Sequence, residues 1–416
     1  MALLEIAAMW AKGAGRRLLA ITVDHRLNPD SADWSRRCQA TARALGADWV
    51  ERRWEGEKPG TGLPAAARRA RHGLIADAAR EAGARVVLFA HTADDIAESD
   101  WMRERGSTLG RLKEWSPSPA WPEGRGLMLL RPMLDERREI LREWLREAGR
   151  DWIEDPGNAG FGRGRARAAL NPLPGGEGLR LAERSDASSA ERVRGSLRRL
   201  APTPHPFAQE RRLAVVRSSP LPLGEGIEID RSIDAAELAA VLLCASGAEV
   251  PPRGDQLETL AVRLTSGDDF AARLAGARVE ASGETVILGR EAGEMRRRPV
   301  ADIALQPGLP AVWDGRYEIN VDTPGWTVTA ARDRLNALSK ADRAIVHTVP
   351  PWARAALPVL IRDGGDAPVL AWREGGVRAL APRRLALALA GLLGETTQES
   401  DLTGTIHGET PPPDLF

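Results

Sequence analysis

Between residues 17 and 91 the chain alternates short apolar runs with longer segments whose apolar residues recur at helical spacing. RLLAITVDH (17–25), DWVERRW (48–54) and RVVLFAH (85–91) read as strands, with helices at about 2–12, 30–45 and 64–82. Strands that are apolar throughout must be covered on both faces, and helical connections of this length favour parallel pairing. The pattern predicts an α/β unit built on a parallel, Rossmann-like sheet. In such sheets ligands bind beyond the carboxyl ends of the strands, where Asp24, His25 and His91 lie. Two more helices are expected, at about 94–105 and 135–148. In the second, Ile140, Leu141, Trp144, Leu145 and Ala148 share one face, with Asp135 as its N-cap and Gly149 as its stop.

Further on the character changes. Residues 171–226 are dominated by Pro, Gly, Ser and Arg, and PLPGGEG (172–178) recurs as PLPLGEG (220–226), so this stretch reads as a low-complexity insertion. Order resumes with helices at 233–245 and 254–265 and a hairpin at 277–291. The remainder mixes strands (AVWDGRYEINV, WTVTAA, PVLAW) with helices near 332–346 and 383–394. The expected layout is an α/β domain at 1–170, the insertion at 171–226, a helical middle domain at 227–295 and a small α+β domain at 296–416.

Composition closes several doors. No apolar run approaches the roughly 18 residues that span a bilayer. Cys38 and Cys244 are isolated, which argues against a disulfide framework, a zinc cage or an iron–sulfur cluster and favours a reducing cytoplasm. The 58 basic and 58 acidic residues cancel, so any nucleic-acid partner must be read from local patterning.

Chemistry concentrates in HTADDIAESDWMR (91–103). His91 leaves a strand, Asp94 and Asp95 open the next helix, and Glu98 lies within a turn of both. Adjacent carboxylates there can hold a magnesium ion on phosphate oxygens; the plain alternative is helix capping. Arg68 and Arg71 share a helical face and can clamp phosphate, or simply face solvent. Arg163, Arg165 and Arg167 alternate with small residues, as suits a mobile loop that tracks phosphates, or simply a surface loop with no partner.

In this order, VDHRLNPDSADW, the block at Arg68 and Arg71, HTADDIAESDWMR with RGS, LLRPMLDERREILREWL and WIEDPGN with its arginine-rich tail resemble the tRNA(Ile)-lysidine synthetases, a branch of the N-type ATP pyrophosphatases. A weaker resemblance continues through 264–291 and Trp313-Asp314-Gly315-Arg316. The resemblance implies an adenine nucleotide alpha-hydrolase-like catalytic domain followed by two domains that handle tRNA. It implies an enzyme that uses ATP and Mg2+ to adenylylate C2 of cytidine 34 in the CAU anticodon of tRNA(Ile). L-lysine then displaces AMP to give lysidine. Asp94, Asp95 and His91 are the implied catalytic residues; Asp24, His25, Arg68, Arg71 and Arg105 face the nucleotide. Asp94, Asp95 and Glu98 are the metal candidates, and Arg163, Arg165 and Arg167 would meet RNA. A homodimer is a candidate assembly.

The departures set a counter-expectation. Family members begin with a strand and a Ser-Gly-Gly-x-Asp-Ser loop that binds pyrophosphate, whereas Met1-Ala2-Leu3-Leu4 resembles the helix after it. Thr92 stands where a second histidine is usual, His72 where tyrosine is usual and Gly164 where asparagine is usual. Weak or absent lysine transfer by these 416 residues, as in an impaired RNA-binding paralogue, is therefore one expectation. A tRNA thiolase would share the sheet, but should carry paired cysteines.

Overall fold

A computed structural model describes residues 1–105, 112–153, 166, 169–170, 217–218, 226–249, 251–252, 254–365 and 367–390. Arg163, Arg165, Arg167 and nearly all of the 171–226 insertion lie outside the described residues. The chain divides into two compact units, with the boundary between Ala208 and Gln209.

In the first unit, α1 (Ala2–Gly13), β1 (Leu19–Asp24), α2 (Ser31–Ala44), β2 (Asp48–Arg53) and α3 (Leu63–Glu81) follow the predicted alternation. β1 and β2 pair in parallel, from Leu19 opposite Asp48 to Asp24 opposite Arg53. Next come β3 (Val86–Leu88), α4 (Ala93–Arg103), β4 (Trp115–Pro117), β5 (Met128–Leu130) and α5 (Arg138–Glu147). β3 runs parallel to β5, and β4 adds an antiparallel edge.

The β3 sheet is covered on both sides, with β5 buried and β3 partly buried. Val86 and Leu88 pack with Leu130 against Ile6 of α1 and Leu141 and Leu145 of α5. Val87, one residue out of phase, packs with Ile21 of β1 against Ala76 and Ala79 of α3. Thus α3 covers both parallel pairs, although the two sheets share no hydrogen bonds among the described residues. Each large side chain fully buried in this way contributes about 1.5–3 kcal/mol.

Two local expectations change. The strand at 85–91 is regular only over Val86–Leu88, which leaves Phe89 to His91 as an extended exit. The helix at 135–148 begins at Arg138, not after Asp135. Its first N–H is satisfied by a carboxylate from elsewhere, described below.

The second unit is antiparallel. β6 (Arg217–Ser218), β7 (Ile227–Ile229), β8 (Phe270–Leu274), β9 (Ala277–Ser282) and β10 (Thr285–Arg290) form a sheet in the order β6-β7-β10-β9-β8. The predicted hairpin is its centre, and the two expected helices pack on it as α6 (Ala235–Ser246) and α7 (Asp255–Thr265). After α8 (Ala292–Arg297) two further small sheets follow. One holds β11 (Ala311–Trp313) and β12 (Tyr317–Val321), joined by the Asp314-Gly315 turn. The helix expected at 332–346 is divided: a 3-10 turn at Arg332–Ala337 gives way to α9 (Lys340–His347), where the Ser339 hydroxyl caps the Asp342 N–H. The last helix among the described residues runs over Ala381–Ala390. Among the described residues no helix is long and apolar enough to cross a membrane.

Candidate active site

The first unit gathers its polar residues at the carboxyl ends of β1, β3 and β5. At the end of β1, the Asp24 carboxylate accepts the Arg26 N–H at 2.8 Å, and Arg26 sits in left-handed backbone (φ 55°). The Asp24 carbonyl accepts the Trp54 N–H at 2.8 Å. These bonds turn the chain sharply off the sheet and leave His25 edge-on to the Trp54 ring, 6.2 Å between centroids. Burial pushes the His25 pKa down, and the Arg71 guanidinium pushes it further, against the Ala67 carbonyl that favours the charged form. Since Ala67 and Arg71 both belong to α3, that helix lies over the strand end.

The same helix reaches the end of β3. Phe89 and His91 alternate along an extended segment, so their side chains emerge on one side. Their rings lie 5.7 Å apart and nearly parallel, 5° between planes. His72 stacks on Phe89 at 5.4 Å and 28°. His72 is only 4% exposed. Burial, followed by the charges of Arg68, Arg71 and Arg131, lowers its pKa to about 3, so the ring is neutral at physiological pH. Its Nε2 has no hydrogen-bond partner among the described residues.

His91 leads into the head of α4, where Thr92 and Asp95 form a capping box: the Thr92 N–H and hydroxyl both donate to Asp95 Oδ2 at 2.9 Å. Burial raises the Asp95 pKa, but the Thr92 N–H, the His91 imidazole, the Thr92 hydroxyl and Arg138 together outweigh it, so the carboxyl ends below its usual range. Asp94 does something different. Its Oδ2 accepts the Arg138 N–H at 2.7 Å and thereby caps α5, while the Ala93 N–H donates to the Glu136 carbonyl at 2.9 Å. Two helix N-termini, those of α4 and α5, therefore meet at one carboxylate. The Arg138 guanidinium donates to Glu98 Oε1 at 3.2 and 3.3 Å and lies 3.6 Å from Asp95.

Asp24, His25, Arg71, His91, Asp94 and Asp95 are thus brought together, with Arg68 beside His72 on the same helix. Arg105 is not. About 14 Å of helix separate Asp94 from Arg103 at 1.5 Å per residue, and Arg105 lies beyond, its guanidinium 3.8 Å over the Trp101 ring. The three candidate metal carboxylates, Asp94, Asp95 and Glu98, have different partners. Among the described residues no group of three or more His, Cys, Asp or Glu side chains is placed to hold an ion. Asp95 is the cap acceptor, and Glu98, its side chain 2% exposed, is paired with Arg138, so neither converges with Asp94 on a common point. Cys38 and Cys244 are free.

Sequence reasoning missed Phe89, Arg131 and Arg138. Phe89 carried a signal in its period-2 relation to His91. The others carried none: β5 has only three residues, and Arg138 is one arginine in an arginine-rich helix.

Residues 1–173 match the family model of the PP-loop domain. A parallel α/β core with acidic and basic groups at its strand ends thus belongs to the PP-loop class of ATP-using domains. The tRNA(Ile)-lysidine synthase of Caulobacter vibrioides is 42% identical over 408 residues, covering 94% of this chain and 91% of that protein. The tRNA(Ile)-lysidine synthase of Hyphomonas neptunium is 34% identical over 313 residues, covering 73% of this chain and 82% of that one. The chain belongs to the tRNA(Ile)-lysidine synthase family. A solved U34-tRNA thiolase from Methanococcus maripaludis overlaps 50% of this chain and 70% of its own at a TM-score of 0.34 and 14% identity, too remote for comparison.

Proposed function

We infer that this chain ligates L-lysine to C2 of cytidine 34 in the CAU anticodon of tRNA(Ile), using ATP and releasing pyrophosphate and AMP. Family membership supports the reaction. Within the molecule, the reading rests on one observation: α3, with Arg68 and Arg71, and the head of α4, with Asp94, close over the ends of the parallel strands from which Asp24 and His91 emerge.

In the first step the C2 carbonyl oxygen of the base attacks the α-phosphorus and pyrophosphate leaves. In the second the ε-amine of lysine attacks C2, AMP leaves and the amine gives up a proton. Neither bond needs a covalent enzyme intermediate, so the protein contributes position and field. Arg68 and Arg71 suit the triphosphate, whose charge they offset through forked N–H donors. Asp24 and His25, at the neighbouring strand end, suit the ribose or base. His91, with Asp95 beside it, suits donation to a phosphate oxygen or uptake of the proton of the incoming amine.

Magnesium fits only in part. A triphosphate-bound Mg2+ needs one or two protein carboxylates, with water and phosphate completing its shell. Asp94, half-buried and with one oxygen committed, meets that need, whereas Asp95 and Glu98 do not. When bound, the ion would neutralise charge on the departing pyrophosphate.

The test is transfer of labelled lysine to a tRNA(Ile) transcript with a CAU anticodon, alongside AMP release. ATP-dependent labelling that disappears when cytidine 34 is replaced by uridine is expected. Labelling indifferent to that base would overturn the reading.

A further inference from the structure

We propose that His72 is a positioning residue: its flat ring, pressed on Phe89, fixes the plane in which His91 presents its imidazole at the head of α4. The inference rests on the ligase reading only in giving His91 something to act on. Its own support is geometric. Phe89 and His91 leave β3 on one side with rings 5° from parallel, and the His72 ring stacks on Phe89 from α3. Phe89 thus stacks with two rings, one from its own strand exit and one from α3. The His91 ring takes its shelf from Phe89 and an electrostatic partner from Asp95.

The imidazole of His72 is used for shape and not for its nitrogens. Nε2 is buried and makes no hydrogen bond among the described residues, a cost that an apolar ring would remove. Nor does His72 act as a base, because the surrounding arginines and its burial keep it neutral down to about pH 3. An aliphatic residue fills the space without a flat face, and a smaller one lets the Phe89 ring turn; either way His91 loses its plane. Misplacement of a reacting group by a fraction of an ångström is read in kcat and not in the affinity for remote parts of the substrate.

The experiment compares the full chain with His72→Ala, His72→Leu and His72→Phe in two readouts. One is lysine transfer, resolved into kcat and KM. The other is the imidazole nitrogen spectrum of protein labelled at its six histidines, with the His91 signal assigned through His91→Gln. We expect kcat to fall about tenfold for Ala and Leu with KM for ATP and tRNA within about twofold, and the Phe variant to return to about the wild-type rate. The His91 signal should shift in Ala and Leu and return in Phe. The Leu variant keeps the test intact if the Ala variant fails to fold. A Phe variant as slow as Ala would overturn the proposal by showing that the nitrogens matter, as would wild-type kcat in Ala and Leu or a His91 signal unmoved in every variant. If the wild-type chain transfers no lysine while the His91 signals move as described, the positioning role stands and the ligase reading falls.

Discussion

Both units bury carboxylates against arginines, and they use them in opposite ways. In the second unit Asp314, its side chain 4% exposed, pairs with Arg316 at 2.7 Å and Arg290 at 3.1 Å. The Arg316 guanidinium also donates to the Ala356 carbonyl at 2.7 Å. Gly247, at the end of α6, sits so close that an added Cβ would lie 2.1 Å from the Asp314 carbonyl oxygen. Nothing can enter that cluster without breaking it. In the first unit Asp94 is half-buried, uses one oxygen to cap α5 and stands at an edge where strands end and helices begin. Burial of charge therefore says little about function by itself. A site also requires a position where backbone dipoles point outward and a ligand can complete the coordination.

The contrast would break most visibly at Asp314. Replacing it with alanine strands two guanidiniums in a low-dielectric interior, and we expect a loss of about 3–5 kcal/mol in urea unfolding. Lysine transfer per folded molecule should be unchanged; a selective loss of turnover with normal stability would place Asp314 among working residues instead. Asp94→Asn tests the other side. The amide oxygen still caps α5, so stability should hold, while AMP release should fall about a hundredfold, equivalent to about 2.7 kcal/mol. Unchanged AMP release would remove Asp94 from the mechanism. Arg138→Gln sharpens the distinction within the acidic cluster itself. Glu98 loses a charge-assisted partner, and stability should drop by about 2 kcal/mol, detectable as a lowered urea midpoint. A gain in stability would mean that Glu98 is held in another way.

At neutral pH the smallest effects are those read through pH dependence. Because the folded pKa of Asp95 lies below its unfolded value of about 3.9, its contribution to stability is present above that unfolded value. It is lost as pH falls through the lower folded value. Asp95→Asn should therefore flatten the acid side of the stability curve below about pH 4. His72 acts over a higher window: the unfolded ring takes up a proton near pH 6.5 and the folded one only near pH 3. Stability should thus erode as pH falls between those values, and His72→Phe should reduce that erosion.

Much of the first unit was legible because helices covering both faces leave a strand no polar position, and VVL declares itself. The covering helices were equally legible from their periodicity. Asp24, His91 and Asp94 could be placed at the sheet edge because strand ends and helix starts are local events. The start of α5 could not be placed, since its first N–H is capped by a carboxylate 44 residues earlier in the chain. Arg105 stands apart from Asp94 for a related reason: closeness in sequence becomes separation along a rigid rod.

The sequence by itself determined which segments are strands and helices, which edge of the sheet is polar and which family the motifs resemble, because periodicity and residue type act over a few residues. Tertiary structure alone decided which carboxylate caps, which one pairs and which one remains available. It also brought His72 of α3 onto Phe89. Those outcomes depend on distances between elements that are far apart in the chain, and an acid's role is set by the partners that packing delivers to it.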